Sequence, residues 1–254
     1  MIFAMSDIHG YADVFENRIK QIEKYIADGD KLILLGDYID RGRESFQSLN
    51  LAYSFQKKYG REQVIVLKGN HEQWFLDFLY ENADEWLIED DNFKTSGTFI
   101  SAEDLAEIKE MPYRASIECL KKKIKENNKE ILKWLKELPL YYERKNQIYV
   151  HAGVDEDIPE EELEWCMSGT GEWTMLGKFP PSKGRFFKDI IAGHVSVRDV
   201  AGDKSFRGIY YDGFSHYYID GSACHRRPLL CLAYDEGKNI YYEFTNDGAF
   251  KEID

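Results

Sequence analysis

Residues 36–42 read GDYIDRG, directly after the apolar run Leu32, Ile33, Leu34 and Leu35. A run this short, apolar throughout and stopped by glycine, has the length and composition of a buried strand. Two aspartates and an arginine follow between two glycines, so charge is concentrated at the carboxyl end of that strand. In an α/β sheet this is the end at which ligands bind.

The same pattern recurs along the chain. Residues 2–5 precede SDIHG (6–10), residues 64–67 precede KGNHE (68–72), residues 148–150 precede HAG (151–153), and residues 190–192 precede GH (193–194). Helical patterns separate the first three runs. Phe15, Ile19, Ile22 and Ile26 recur at helix spacing over residues 11–27, with Gly29 placed to end the helix; Leu49, Ala52 and Tyr53 mark 45–59, and Phe75, Phe78 and Leu79 mark 72–87. Alternation of strand and helix implies right-handed crossovers and a parallel sheet whose loops converge at one edge.

Residues 84–138 break that rhythm and read as a helical insertion, with Ile117, Leu120, Ile124, Ile131, Leu132 and Leu135 as packing positions. After Asp220 the chain turns strand-rich, and residues 229–234 and 240–244 around DEGKN read as a hairpin. We expect one domain over 1–254, carrying the insertion.

A formal net charge of -13 opposes nonspecific binding to nucleic acid or to anionic lipid, so neither partner is expected. Lys121, Lys122 and Lys123 form the densest basic run and read as a solvated helix face. Cys119, Cys166, Cys224 and Cys231 lack zinc-site spacing and read as reduced thiols. The chain has no uncharged apolar stretch of about twenty residues and no signal-like start, which leads to the expectation of a cytoplasmic protein.

The polar residues collected at the strand ends are Asp7, His9, Asp37, Asp40, Arg41, Asn70, His71, His151 and His194. Carboxylates, imidazoles and one amide oxygen without thiolate suit Mn, Fe, Zn or Ni. The number of donors exceeds what one ion needs. Two ions about 3.5 to 4 Å apart, sharing a carboxylate, would clamp a phosphoryl group, and Asp37 is the natural bridge. GNHE alone also fits a helix start, with Asn70 capping and Glu72 in the first turn.

With SDIHG, GDYIDRG, GNHE, HAG and GH in this order, the chain resembles the calcineurin-like metallophosphoesterases. Within them it resembles the phosphoprotein phosphatase branch and its bacterial serine/threonine phosphatases. The resemblance implies an α/β fold of two β sheets packed as a sandwich and flanked by helices. It implies two divalent metal ions, manganese first, with Asp7, His9 and Asp37 holding one and Asp37, Asn70, His151 and His194 the other. It also implies attack on phosphorus by a metal-bridging hydroxide. His71 would protonate the leaving oxygen, Asp40 would orient His71, and Arg41 would fork onto the phosphate oxygens.

Two stretches depart from the pattern. In GEWTMLGKF (171–179), Met175 stands where bacterial members carry a second phosphate-binding arginine; Lys178, Arg185, Arg226 and Arg227 are the cations that could replace it. In IDGSACHRRP (219–228), His225, Arg226 and Arg227 replace the glycines and aromatic usual in members of similar length, so Arg226 and Arg227 are candidate substrate-binding residues at the mouth of the site.

The expected activity is hydrolysis of phosphomonoesters, first phosphoserine and phosphothreonine in proteins. Phosphorylated small molecules are the other partner class. The alternatives are a dinucleoside polyphosphate hydrolase acting on diadenosine tetraphosphate, and a phospho-binding protein without turnover.

Overall fold

The structure is a computed structural model and describes residues 1–27, 29–81, 83–156, 169–224 and 227–254. In chain order its first elements are β1 (Ile2–Met5), α1 (Ala12–Ile22), β2 (Lys31–Leu34), α2 (Ser45–Tyr59), β3 (Val64–Val66) and α3 (Asn70–Tyr80). Three 3-10 turns follow (Asp84–Ile88, Asp91–Phe93 and Ser96–Phe99), then α4 (Ala102–Lys109), α5 (Tyr113–Asn127) and α6 (Lys129–Lys136). Beyond them come β4 (Tyr141–Glu143), β5 (Gln147–Val150), β6 (Asp189–Ala192), β7 (Tyr210–Tyr211), β8 (His216–Tyr218), β9 (Leu232–Asp235), β10 (Ile240–Phe244) and β11 (Phe250–Glu252).

Two mixed sheets result. One has the order β11-β10-β9-β1-β2-β3, the other β4-β5-β6-β8-β7. The motif-bearing strands pair in parallel, β1 with β2, β2 with β3 and β5 with β6, whereas β4, β7, β9, β10 and β11 pair antiparallel. All five short runs are strands, and the 229–244 hairpin is present. A last strand, β11, also forms on its edge; its three residues are exposed and gave no apolar signal.

Side chains that alternate along each strand divide the core in two. Phe3, Met5, Leu32, Leu34, Val64 and Val66 face the helices. Ile2, Ala4, Ile33, Leu35, Ile65 and Leu67 face the second sheet and meet Ile148, Val150, Ile190 and Ala192. Strands buried on both faces read as unbroken apolar runs, the feature that made them legible. Ile117, Leu120, Ile124, Ile131, Leu132 and Leu135 all join the helix-side core, so α5 and α6 pack with the helices on the outer face of the first sheet. Two helices are shorter than their apolar spacing suggests. Helix α1 ends at Ile22, and α3 ends at Tyr80, with Trp86 delivered instead by a 3-10 turn.

A buried ion triad clamps the second sheet. His216 lies 2.9 Å from Asp212 Oδ2 and 3.0 Å from Glu156 Oε2. Burial works against its charge, but the two carboxylates raise its pKa above 6.5, while burial is likewise outweighed at Glu156, held at about 2. The His216 contribution is complete below about 6.5 and lost as pH rises through the higher folded value; that of Glu156 is present above about 4.5 and lost as pH falls toward 2. His216→Gln is expected to cost about 2 kcal/mol near pH 5.5 and less at pH 9, read as the difference in Tm from wild type at each pH. A pH-independent difference would show that His216 acts by packing alone.

Candidate metal centre and active site

The strand ends converge on one edge. Asp7 and His9 follow β1; Asp37, Asp40 and Arg41 follow β2; Asn70 and His71 open α3 beyond β3; His151 follows β5 and His194 follows β6. The loops are zipped together by main-chain hydrogen bonds, Asp7 N–H to Gly36 O at 3.1 Å and His9 N–H to Asp37 O at 2.9 Å. Gly36 has φ +113°, and a Cβ there would stand 2.4 Å from the Gly69 nitrogen, so only glycine lets the β2 and β3 loops touch. Of the ten described non-glycine residues with positive φ, six are Asp7, His9, Asp37, Asp40, Arg41 and His194. This conformation is costly for L residues, and its concentration here marks a site held by its surroundings.

Glu72 does much of the holding, a role its sequence position hid. Its buried carboxylate accepts from the main-chain N–H groups of Tyr38 at 2.7 Å, Asp37 at 2.8 Å, Gly69 at 3.0 Å and Ile39 at 3.2 Å. Burial, then the charge of Asp37, raises its pKa to about 7. The reading of Asn70 as the helix cap is corrected. Gly69 is the N-cap, and the Asn70 amide oxygen faces His151 Nε2 at 2.8 Å and His194 Nδ1 at 3.0 Å.

Two donor groups emerge, His9 with Asp37 and His71, and Asp37 with His151 and His194; within each, donor atoms lie within 4.8 Å of one another. Asp37 belongs to both. Its Oδ2 lies 3.5 Å from His151 Nε2, 3.6 Å from His9 Nε2 and 3.8 Å from His71 Nε2, while Asp7 Oδ1 is 3.7 Å from His9 Nε2. His9 and His151 each donate Nδ1–H to a carbonyl, Ile39 O and Leu35 O, which turns the Nε2 lone pairs inward. His9 Nε2 is buried without a hydrogen-bond partner, as a metal-ligating nitrogen would be. The donor chemistry fits divalent cations.

The charges agree. Burial opposes ionisation of Asp7 and Asp37, but the neighbouring His9 and the charge of His151 hold Asp7 well below the carboxylate range, and His151, His71 and His9 together lower Asp37. Burial, then the His151 charge, brings His194 to about 4, leaving a neutral imidazole able to ligate. Asp220, which no sequence argument singled out, is pushed to about 7 by burial and by the charge of Asp7.

Beside this cluster His71 Nδ1 meets Asp40 Oδ2 at 2.6 Å, and the indole N–H of Trp86 donates to the same oxygen at 2.9 Å. Burial would depress the His71 pKa; the Asp37 charge and the Asp40 hydrogen bond outweigh it and raise it to about 9. Trp86 was invisible as a site residue because it lies 46 positions from Asp40 in a polar stretch.

Arg41 is exposed beside the cluster. Arg226 lies outside the described residues, as do His225 and Cys166; Cys119, Cys224 and Cys231 are free thiols. Arg227 lines a cleft of about 670 Å³ with Val14, Asn17, Arg18 and Lys24, and none of the metal-cluster residues lines it. Met175 is buried between the sheets, and Lys178 donates to Val154 O and pairs with Glu156 at 2.9 Å, so its charge is committed.

A family model for calcineurin-like phosphoesterases matches residues 1–197, and the chain belongs to that family. It is 29% identical over 127 residues to serine/threonine-protein phosphatase 2 of Salmonella typhimurium (strain LT2), a match covering 48% of this chain and 55% of that protein. The match thus spans about half the length of that curated relative. In fold it is similar to the cold-active protein-tyrosine phosphatase of a psychrophilic Shewanella species (TM-score 0.60, 16% identity, 100% of this chain and 80% of that one). It is also similar to a protein described as a diadenosine tetraphosphatase (TM-score 0.51, 16% identity, 99% and 92% covered). These two likenesses are of fold. Among the described residues, no helix is long and apolar enough to cross a membrane.

Proposed function

We propose that the chain hydrolyses phosphomonoesters, with phosphoserine and phosphothreonine side chains of proteins as its substrates. The observation that carries the reading is the sharing of Asp37 by two donor groups beside the His71–Asp40 pair. Asp7, His9 and Asp37 would hold one divalent ion and Asp37, Asn70, His151 and His194 a second, with manganese first among Mn, Fe, Zn and Ni. Such ions neutralise phosphate charge and make water nucleophilic near neutral pH.

The chain's own residues do the rest. Arg41 orients two phosphate oxygens with a planar pair of N–H groups. His71, protonated at neutral pH, gives its proton to the leaving oxygen, and Asp40 holds the ring at Nδ1 so that Nε2 faces the substrate. Trp86 is a positioning residue that fixes Asp40. Trp86→Phe is expected to lower kcat about tenfold at unchanged KM and to move the alkaline fall in activity, because a freed Asp40 holds the imidazolium less firmly. An unaltered pH profile would reduce Trp86 to packing.

A second reading, hydrolysis of dinucleoside polyphosphates, draws support from exposed cations beside Arg41. Competition on manganese-loaded protein between a phosphothreonine peptide and diadenosine tetraphosphate separates the two. The peptide is expected to win in kcat/KM; preference for the dinucleotide would replace the first reading with the second. Turnover of neither, with normal metal content, would leave a phospho-binding protein.

A further inference from the structure

Two clefts adjoin the reaction centre, and they carry opposite charge. One, of about 370 Å³, is lined by Trp74, Trp86 and Ile88 and rimmed by Asp77, Glu85 and Glu89; the Trp74 ring lies 5.0 Å from that of His71. The other, of about 630 Å³, opens beside Arg41 and is lined by Gly10, Tyr11, Gly42, Arg43, Glu44 and Lys94. Three cations there face one acid, on a protein whose formal net charge is -13.

The cations are available. Among the described residues, no carboxylate pairs with the guanidinium of Arg41 or Arg43, and both side chains are exposed. Lys94 comes from the loop between the 3-10 turns and donates its ammonium to the carbonyl of Arg41, bracing a residue held at φ +61°. Arg43 and Lys94 also line a neighbouring cleft, which adds Lys109 and one acid, Asp91. In a strongly acidic protein, a group of cations beside Arg41 draws anions toward that side of the site.

We propose that Arg43 and Lys94 form a second anion subsite, which binds a carboxylate or phosphate that the substrate carries beside its reacting phosphate. This rests on the phosphoesterase reading and extends it: the enzyme selects doubly anionic substrates, with the extra charge over Arg43. The cations stand outside the metal cluster, so they act on binding.

The test uses manganese-loaded protein with p-nitrophenyl phosphate, three phosphothreonine peptides flanked by Glu, Ala or Lys, and an alkyl bisphosphate. An exposed charge pair contributes up to about 1 kcal/mol, or about fivefold. Arg43→Gln should therefore lower kcat/KM on the Glu peptide about fivefold, through KM, with p-nitrophenyl phosphate unaffected. Arg43→Glu should shift the Glu-to-Lys peptide ratio about twentyfold toward Lys, and added salt should shrink the wild-type preference.

A preference for the bisphosphate over the Glu peptide would identify phosphate as the second anion; the reverse would identify a side-chain carboxylate. Equal losses on all substrates in Arg43→Gln, or an unchanged peptide ratio in Arg43→Glu, would overturn the subsite while leaving the phosphoesterase reading intact. Failure of wild type to hydrolyse p-nitrophenyl phosphate and every peptide would overturn both.

Discussion

His71→Asn is expected to cut kcat by about 10²- to 10⁴-fold while leaving metal content close to wild type, the size of effect that follows loss of a general acid. The ring touches Asp40 through Nδ1 and faces Asp37 through Nε2 at 3.8 Å. Its pKa of about 9 makes it a proton donor at neutral pH. The sign follows: the protonated form predominates below about 9, so activity is lost as pH rises through that value. Bound cations would offset the charge of Asp37, the largest of the raising influences, and draw the limb downward, with Asp40 left as the main partner. Asparagine cannot titrate, so the variant should retain a residual rate without this alkaline limb. A variant that keeps both its rate and the limb would remove His71 from proton transfer. The leaving group supplies a further control. p-Nitrophenolate needs little protonation and an alkyl alkoxide needs much, so the variant should lose far more activity on phosphothreonine than on p-nitrophenyl phosphate.

Much of this site was legible because its donors sit at fixed offsets behind strands that are buried on both faces. Ile2–Met5 and Gln147–Val150 are apolar or buried throughout, and the residues after them have nowhere to go but the shared edge. What stayed hidden was held by long-range geometry. Glu72 looks like a first-turn acid, and only the approach of Gly36 to Gly69 reveals that its carboxylate gathers the Asp37 loop. Trp86 and Lys94 fall in a stretch without apolar period, yet they reach Asp40 and the Arg41 carbonyl because the turns over 84–99 fold back on α2 and α3. Periodicity also overran the true ends of α1 and α3, since apolar spacing continues past the point where tertiary packing takes the chain elsewhere. Arg226 and Arg227 stood out as departures from the family pattern in IDGSACHRRP, which says nothing of where they point: Arg227 lines a cleft over α1, and Arg226 lies outside the described residues.

Asp37→Asn is expected to lower activity by about 10³-fold or more and, unlike His71→Asn, to do so through metal binding. One side chain serves both donor groups, so its neutralisation weakens both at once; loss of His9 or His194 would weaken one. Asparagine keeps the volume and one oxygen, which can still accept the His71 main-chain N–H now bonded to Asp37 Oδ1 at 3.1 Å, so the loops should remain folded. Two readouts besides activity decide the matter. The wild-type Tm should rise with added Mn²⁺, by an amount corresponding to about 2.7 kcal/mol at a hundredfold excess over Kd, whereas the variant should show little response in the same range. Elemental analysis after gel filtration should find metal retained by wild type and depleted in the variant. Full occupancy with an unchanged Mn²⁺ response would refute Asp37 as the shared ligand. An intact metal response with low activity would instead assign its effect to the field it exerts on His71, whose pKa it raises more than any other group.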